Sequence, residues 1–204
     1  SVASLSEFVV AENTIPTTTT STTGTTTTTT TTTLPQSAAQ LITGRRLLLK
    51  VKSGDPVRSS LSALSNDPAI SLGGGNGSVD DPVINGGNIR VATTSGDGFD
   101  ATYQMPAENW KYIGTVGANK GYLYRDSDLS SGPVRSTTLR NGKLLKINGN
   151  GAGLTHTLGT NPNPVRVTLT TGSQKYCLEF GGTVTFVPDS KYTARDAQAP
   201  TFCN

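Results

Sequence analysis

Few residues in this chain have the chemistry for catalysis, and they are scattered. His156, in the run Leu154-Thr155-His156-Thr157-Leu158, is the one histidine of the sequence. A serine or cysteine nucleophile needs a base beside it, and His156 is the only candidate. A lone histidine on a strand is more commonly a surface residue than a ligand or a base. Asp80-Asp81 and Asp126-Ser127-Asp128 offer carboxylate oxygens of the kind calcium takes, without the spacing or the terminal Glu of a calcium loop. No two carboxylates stand out as an acid and base couple. The glycine run Gly73-Gly74-Gly75-Asn76-Gly77 has neither the Lys-Ser/Thr ending nor the following helix of a phosphate loop. We therefore expect no enzyme: no catalytic residue, no metal, and no cofactor beyond covalently attached glycans.

Binding chemistry has more to work with. Tyr122 and Tyr124 alternate with Leu123, which sets both rings on one face of a strand. Such a pair either stacks on a sugar or caps the edge of a core, and the core is the commoner fate. Arg45, Arg46, Lys50, Lys52 and Arg58 form the one basic cluster, within a net charge of +3. A nucleic-acid site wants a denser stripe with aromatic platforms, so a solvated sheet face is expected and nucleic acid is not. Asn76-Gly77-Ser78 is the one N-glycosylation sequon. Cys177 and Cys203 are the two cysteines, and in an exported protein they are expected to form a disulfide that pins the tail to the sheet. The alternative is two free thiols in an intracellular protein.

These residues have to be placed by something, and the chain is divided by a tract that cannot fold. Residues 17–33 hold fifteen threonines in seventeen positions, broken by Ser21 and Gly24 and flanked by Pro16 and Pro35. Nothing there can bury a core and offset the entropy of folding. Three parts follow: an N-terminal strand at 1–15, a Thr-rich linker at 16–35, and a folded domain at 36–204. Runs of Thr and Ser flanked by Pro resemble O-glycosylated stalks. The expected acceptors are Thr17, Thr18, Thr19, Thr20, Ser21, Thr22, Thr23, Thr25, Thr26, Thr27, Thr28, Thr29, Thr30, Thr31, Thr32 and Thr33; a bare flexible linker is the alternative. Extended at ~3.1 Å per residue, the tract reaches about 50 Å.

The first segment reads SVASLSEFVVAENTI, with Val2, Leu5, Phe8, Val9 and Val10 as its apolar strand residues. A strand of this kind needs a sheet. It either folds back on its own domain or completes a neighbour's sheet by strand addition. Ser1 stands where a Met would open a nascent chain, so a signal peptide is expected to have been removed, and no membrane span is present in the sequence.

The domain reads as all-β. Strand-like runs lie at 45–52, 57–64, 89–94, 99–105, 134–139, 143–147, 165–169, 175–180 and 184–187, parted by Gly, Asn and Pro clusters. Asn141-Gly142 is the clearest hairpin turn. No window reads as an amphipathic helix, and little strand is expected near the C-terminus. About ten short strands call for a two-sheet β-sandwich, of pilin-like, immunoglobulin-like or jelly-roll kind, with a detached N-terminal donor strand.

Arg45-Arg46-Leu47-Leu48-Leu49-Lys50-Val51-Lys52, Lys120-Gly121-Tyr122-Leu123-Tyr124-Arg125-Asp126 and Tyr176-Cys177-Leu178-Glu179-Phe180-Gly181-Gly182 carry a resemblance, together with Ser65-Asn66-Asp67-Pro68, Gly142-Lys143-Leu144-Leu145-Lys146 and Ala194-Arg195-Asp196-Ala197. They resemble a group of secreted β-domains of unassigned activity from environmental bacteria, over most of Gly44 to Cys203. The resemblance implies secretion, a β fold and the Cys177–Cys203 bridge. The extra cysteine pair that related domains carry near Val134 and Ile147 is missing here. The layout of strand, linker and sandwich resembles the subunits of donor-strand-polymerised, pilin-like fibres.

The sequence thus leads us to expect a structural subunit of an extracellular or cell-surface filament, whose partners are further copies of itself and its own glycans. Its N-terminal strand would insert into a neighbour's sandwich. The alternative is a secreted carbohydrate-binding or adhesive module that uses the Tyr122/Tyr124 face.

Overall fold

The computed structural model describes residues 38–52, 54–115 and 118–203. The expected donor strand at 1–15 and the Thr-rich linker, with all its candidate acceptors, lie outside them. The chain divides between Leu34 and Pro35, and the second unit is described by itself.

Two sheets pack against each other. The smaller has five strands, in the order β1 (Gln40–Leu41), β11 (Gln174–Phe180), β10 (Val165–Thr171), β4 (Gly87–Thr93) and β5 (Phe99–Met105). The larger has eight: β12 (Thr183–Val187), β13 (Lys191–Ala197), β2 (Gly44–Lys50), β3 (Ser60–Ser65), β9 (Leu144–Asn150), β8 (Val134–Arg140), β7 (Ala118–Arg125) and β6 (Trp110–Thr115). Pairing is antiparallel except for β1, which runs parallel to β11 over two residues. The chain then crosses at Ile42 and Thr43 from the smaller sheet to the larger. Among the described residues helix is confined to one turn at Pro82–Asn85 and two 3-10 turns.

Strand alternation builds the core. In β10, Val165, Val167 and Leu169 are fully buried while Arg166, Thr168 and Thr170 turn outward; Leu47 and Leu49 of β2, Ile89 and Val91 of β4, and Leu145 and Ile147 of β9 do the same from the facing strands. Each such side chain is worth roughly 1.5–3 kcal/mol on leaving water. That is the all-β two-sheet sandwich the sequence leads one to expect.

The hairpins fall where the turn residues place them. β8 and β9 pair around Asn141-Gly142, with Gly142 at φ +59°. At the β10–β11 turn, Gly172 sits at φ +53° and its amide donates to the Gly86 carbonyl at 2.9 Å. A side chain there would run into the Val79 carbonyl, so the turn can dock on the 73–81 loop only with glycine at its tip.

Several boundaries differ from the sequence reading. β2 ends at Lys50 rather than Lys52, and Val57 lies in a 3-10 turn opened by Pro56, whose fixed φ suits that position. β13 is an additional strand near the C-terminus: Tyr192 and Ala194 face the core, and the pairing skips Asp196, whose φ is +52°, without a change of register. His156 is not on a strand. The segment Leu154-Thr155-His156-Thr157-Leu158 is extended without a ladder, yet it alternates like one, burying Leu154, His156 and Leu158 and exposing Thr155 and Thr157.

Candidate functional site

The residues singled out for chemistry are mostly taken up by the fold. His156 is a buried residue rather than the surface one expected: it is 5% exposed, its Nε2 lies 3.0 Å from the Lys50 carbonyl, and burial holds its pKa below the usual value. Its neighbours Leu154 and Leu158 draw the ring inward because every second side chain of the segment enters the core.

Tyr122 and Tyr124 lie in the core and present no platform to a sugar. Both are fully buried, with Tyr124 packed on Trp110 at 5.4 Å between ring centroids and Tyr122 on Tyr112 at 6.0 Å. Burial pushes the Tyr122 phenol up to about 12. The pair thus takes the commoner of its two fates, the core, and the sugar-stacking alternative does not hold for it.

The carboxylates are acceptors for loops. Asp81 takes the Gly77 amide at 2.7 Å, the Val83 amide at 2.9 Å and the Tyr112 hydroxyl at 2.7 Å. Asp80 accepts from the Gly74 amide at 2.8 Å and from the Ser173 hydroxyl at 2.5 Å, which ties the glycine-rich loop to the β10–β11 turn. Burial alone would raise the Asp126 pKa, but amides of Ser131, Ser130 and Leu129 and the Ser130 hydroxyl hold it below the usual carboxylate value. Among the described residues no group of three His, Cys, Asp or Glu side chains is placed to hold a metal ion. In the sequon, Asn76 turns inward: its Oδ1 accepts from Asn119 at 2.6 Å, and its Nδ2, the atom a glycan would take, is buried.

Cys177 and Cys203 are joined in a disulfide. It sits on β11 directly beside the β1 pairing, with Phe202 of the tail over the Arg166 guanidinium at 5.0 Å. A disulfide fits a secreted chain. No helix among the described residues is long and apolar enough to cross a membrane.

The feature that strand pairing creates is electrostatic. On the outer face of the five-stranded sheet the arginines are neutralised: Arg90 pairs with Asp100 at 2.5 Å, and Arg166 with Glu179 at 2.6 Å. On the outer face of the eight-stranded sheet nothing equivalent occurs. Arg46 of β2 stands directly opposite Arg195 of β13, and Lys50 stands opposite Lys191. Among the described residues none of the four has an acidic partner within ion-pair distance. Asp196 is the one acidic residue on these eight strands, and it lies at the position the β13–β2 pairing skips. Like charges directly opposite each other weaken a sheet, so the fold gains no stability from the arrangement.

The basic residues continue in register. The row through Arg195 and Arg46 passes Leu64 of β3 to Lys146 of β9, and three strands further it reaches Lys111 of β6. The next outward row is uncharged as far as β8, through Thr193, Leu48, Ser62, Asn148 and Ser136. Here Ser62 Oγ donates to Asn148 Oδ1 and Asn148 Nδ2 donates to Ser136 Oγ, each at 3.2 Å. Between the two cation pairs lies a groove of about 280 Å³, floored by Leu48, Thr185 and Thr193.

These features define a two-sheet, disulfide-tied β-domain with one ion-paired face and one unpaired basic face. No family model, curated protein or solved structure matches the chain. Sequence reasoning saw Arg46 and Lys50 as two of the five residues of a sparse cluster. It missed their partners, because Lys191 and Arg195 lie on the strand it did not assign.

Proposed function

We propose that the chain is a non-catalytic structural subunit of an extracellular filament, exported with the help of a signal peptide. The strand at 1–15 joins the sheet of a neighbouring copy across an O-glycosylated linker. The observation that supports this reading is β12. It is an edge strand with no backbone partner on its outer side among the described residues, and its sequence, Thr-Val-Thr-Phe-Val, has no charge, proline or glycine. Edges of this kind are normally protected because they pair with other chains. The other edges of the two sheets are less inviting: β6 carries Lys111 and a bulge at Gly114, β5 carries Asp100, and β1 has two residues.

On the core side of β12, Val184 and Phe186 are only partly buried. A strand added along this edge lays alternate side chains over them, and Phe8-Val9-Val10 has the composition to do so. In this form the donated strand extends a sheet edge. The purified full chain should form filaments in electron micrographs, and a variant lacking residues 1–15 should remain monomeric. Val184→Lys, which turns a charge inward on the edge, should shorten or abolish the filaments while circular dichroism stays that of a β protein. Filaments of ordinary length from the deletion variant would refute the reading.

A further inference from the structure

We propose that the outer face of the eight-stranded sheet binds an acidic polysaccharide, an extended chain of carboxylate- or sulfate-bearing sugars. The chain lies across the strands in the groove between the Arg46/Arg195 pair and the Lys50/Lys191 pair. The groove borders the edge proposed for strand exchange, since Thr185 on its floor belongs to β12, but it requires only the folded domain.

Four observations converge on it. The first is the unpaired charge. Two pairs of like charges face each other across β2 and β13, where the fold gains nothing from them and loses a little; a polyanion turns that repulsion into attraction. The contrast within the molecule is informative, because the opposite sheet carries its arginines in ion pairs.

The second is spacing. Arg46 and Lys50 lie four residues apart on one strand, which puts the two cationic walls about 13 Å apart. Along the row from Arg195 to Lys111, strands succeed one another every ~4.8 Å and the whole sheet is about 34 Å across. A polymer running perpendicular to the strands therefore meets positive charge repeatedly along its length.

The third is the floor. Thr185 and Thr193 bring hydroxyls and Leu48 an apolar surface, and the Ser62–Asn148–Ser136 chain of hydrogen bonds prolongs the polar strip. Hydroxyls and amides suit sugar hydroxyls, and the leucine suits the C–H face of a ring. The fourth separates this ligand from single-stranded nucleic acid. The aromatic residues of these strands all sit on the core side, Trp110, Tyr122, Tyr124 and Tyr192 buried and Tyr112 and Phe186 packed against the core, so among the described residues the outer face has no platform on which bases could stack.

The test uses the full chain and immobilised polymers: polygalacturonate for carboxylates, dextran sulfate for sulfates, pullulan as a neutral polysaccharide, with poly(dT) and phosphatidylserine vesicles for comparison. Binding to at least one acidic polysaccharide at low salt, weakening as salt rises, is expected, with pullulan left unbound. Arg46→Ser/Arg195→Ser and Lys50→Ser/Lys191→Ser should each weaken that binding tenfold or more. Arg90→Ser/Arg166→Ser, on the other sheet, should leave it unchanged. The first two variants relieve repulsion, so they should melt no lower than the parent, which separates lost binding from lost folding. Unchanged affinity in those variants, binding insensitive to salt, or no binding to either acidic polymer would overturn the proposal. Tighter binding to poly(dT) or to the vesicles would overturn it too, by giving the face to nucleic acid or to a membrane surface.

Discussion

His156 is hydrogen-bonded to the backbone of Lys50, Nε2 to carbonyl oxygen at 3.0 Å. A carbonyl only accepts, so Nε2 carries the proton of the neutral ring, and a second proton has to go to Nδ1 in a buried setting. Burial lowers the pKa below its ordinary value, against the smaller opposing effect of the Lys50 bond.

The sign of the pH dependence follows. Between the folded pKa and the ordinary value near 6.5 the unfolded chain binds more protons than the folded one. The contribution of His156 is complete above the unfolded pKa and is lost as pH falls through the folded one. The urea midpoint should therefore drop between pH 7.5 and pH 5.5. With a single histidine in the chain, His156→Gln should flatten that change; an equally steep fall in the variant would contradict it.

Asp81 is fully buried and accepts three hydrogen bonds, from Gly77, Val83 and Tyr112. Asp81→Asn puts an amide N–H₂ where acceptors are required. Hydrogen bonds to a charged group contribute ~1.5–3 kcal/mol, so equilibrium unfolding should show a loss of at least that order. Tyr112→Phe removes one of the three and should cost less.

The buried hydroxyls of Tyr122 and Tyr124 have no partner within hydrogen-bond geometry, although Asn119 and Asn109 stand near them. Removing an unsatisfied hydroxyl costs little, whereas removing the ring opens a cavity. Tyr122→Phe and Tyr124→Phe should leave the unfolding free energy within about 1 kcal/mol or raise it. Tyr122→Ala should lose about 3–5 kcal/mol. Urea titrations of the three variants would decide the matter, and a large loss in the phenylalanine variants would mean that the hydroxyls are bonded in solution.

The disulfide closes a loop of 26 residues in sequence separation. Chain entropy gives such a closure about 3–4 kcal/mol. Cys177→Ala/Cys203→Ser should melt correspondingly lower, and its tail should become open to carboxypeptidase. A tail as resistant as the parent's would mean that Phe202 on Arg166 suffices to hold it.

Local signals were legible in the sequence wherever they were self-contained. Asn141-Gly142 marked a hairpin because Gly readily takes the positive φ that the three-residue turn Asn141–Lys143 needs at Gly142. The alternating burial of Val165, Val167 and Leu169 could be read because period two needs no partner. β13 was harder: Tyr192 and Ala194 alternate, but Arg195 and Asp196 are both exposed and break the period, and Lys191 and Arg195 make the run look like a loop. The burial of His156 could not be read, because its segment enters the core without joining a ladder. The basic face could not be read at all. Arg46 and Arg195 are adjacent only through strand register, a long-range relation that no window of sequence contains.

The parallel pairing of β1 with β11 also has a mechanical consequence. Gln40 and Leu41 lie against Tyr176 and Cys177, and Cys177 is itself bonded to Cys203. The way into the domain and its tail thus meet at Cys177. Tension applied between residue 38 and residue 203 passes through one short clasp and then a covalent bond, while the two sheets stay out of the load path until that clasp yields. A domain strung in series with others would be held as a bead is held on a knotted cord, by its fastening before its body.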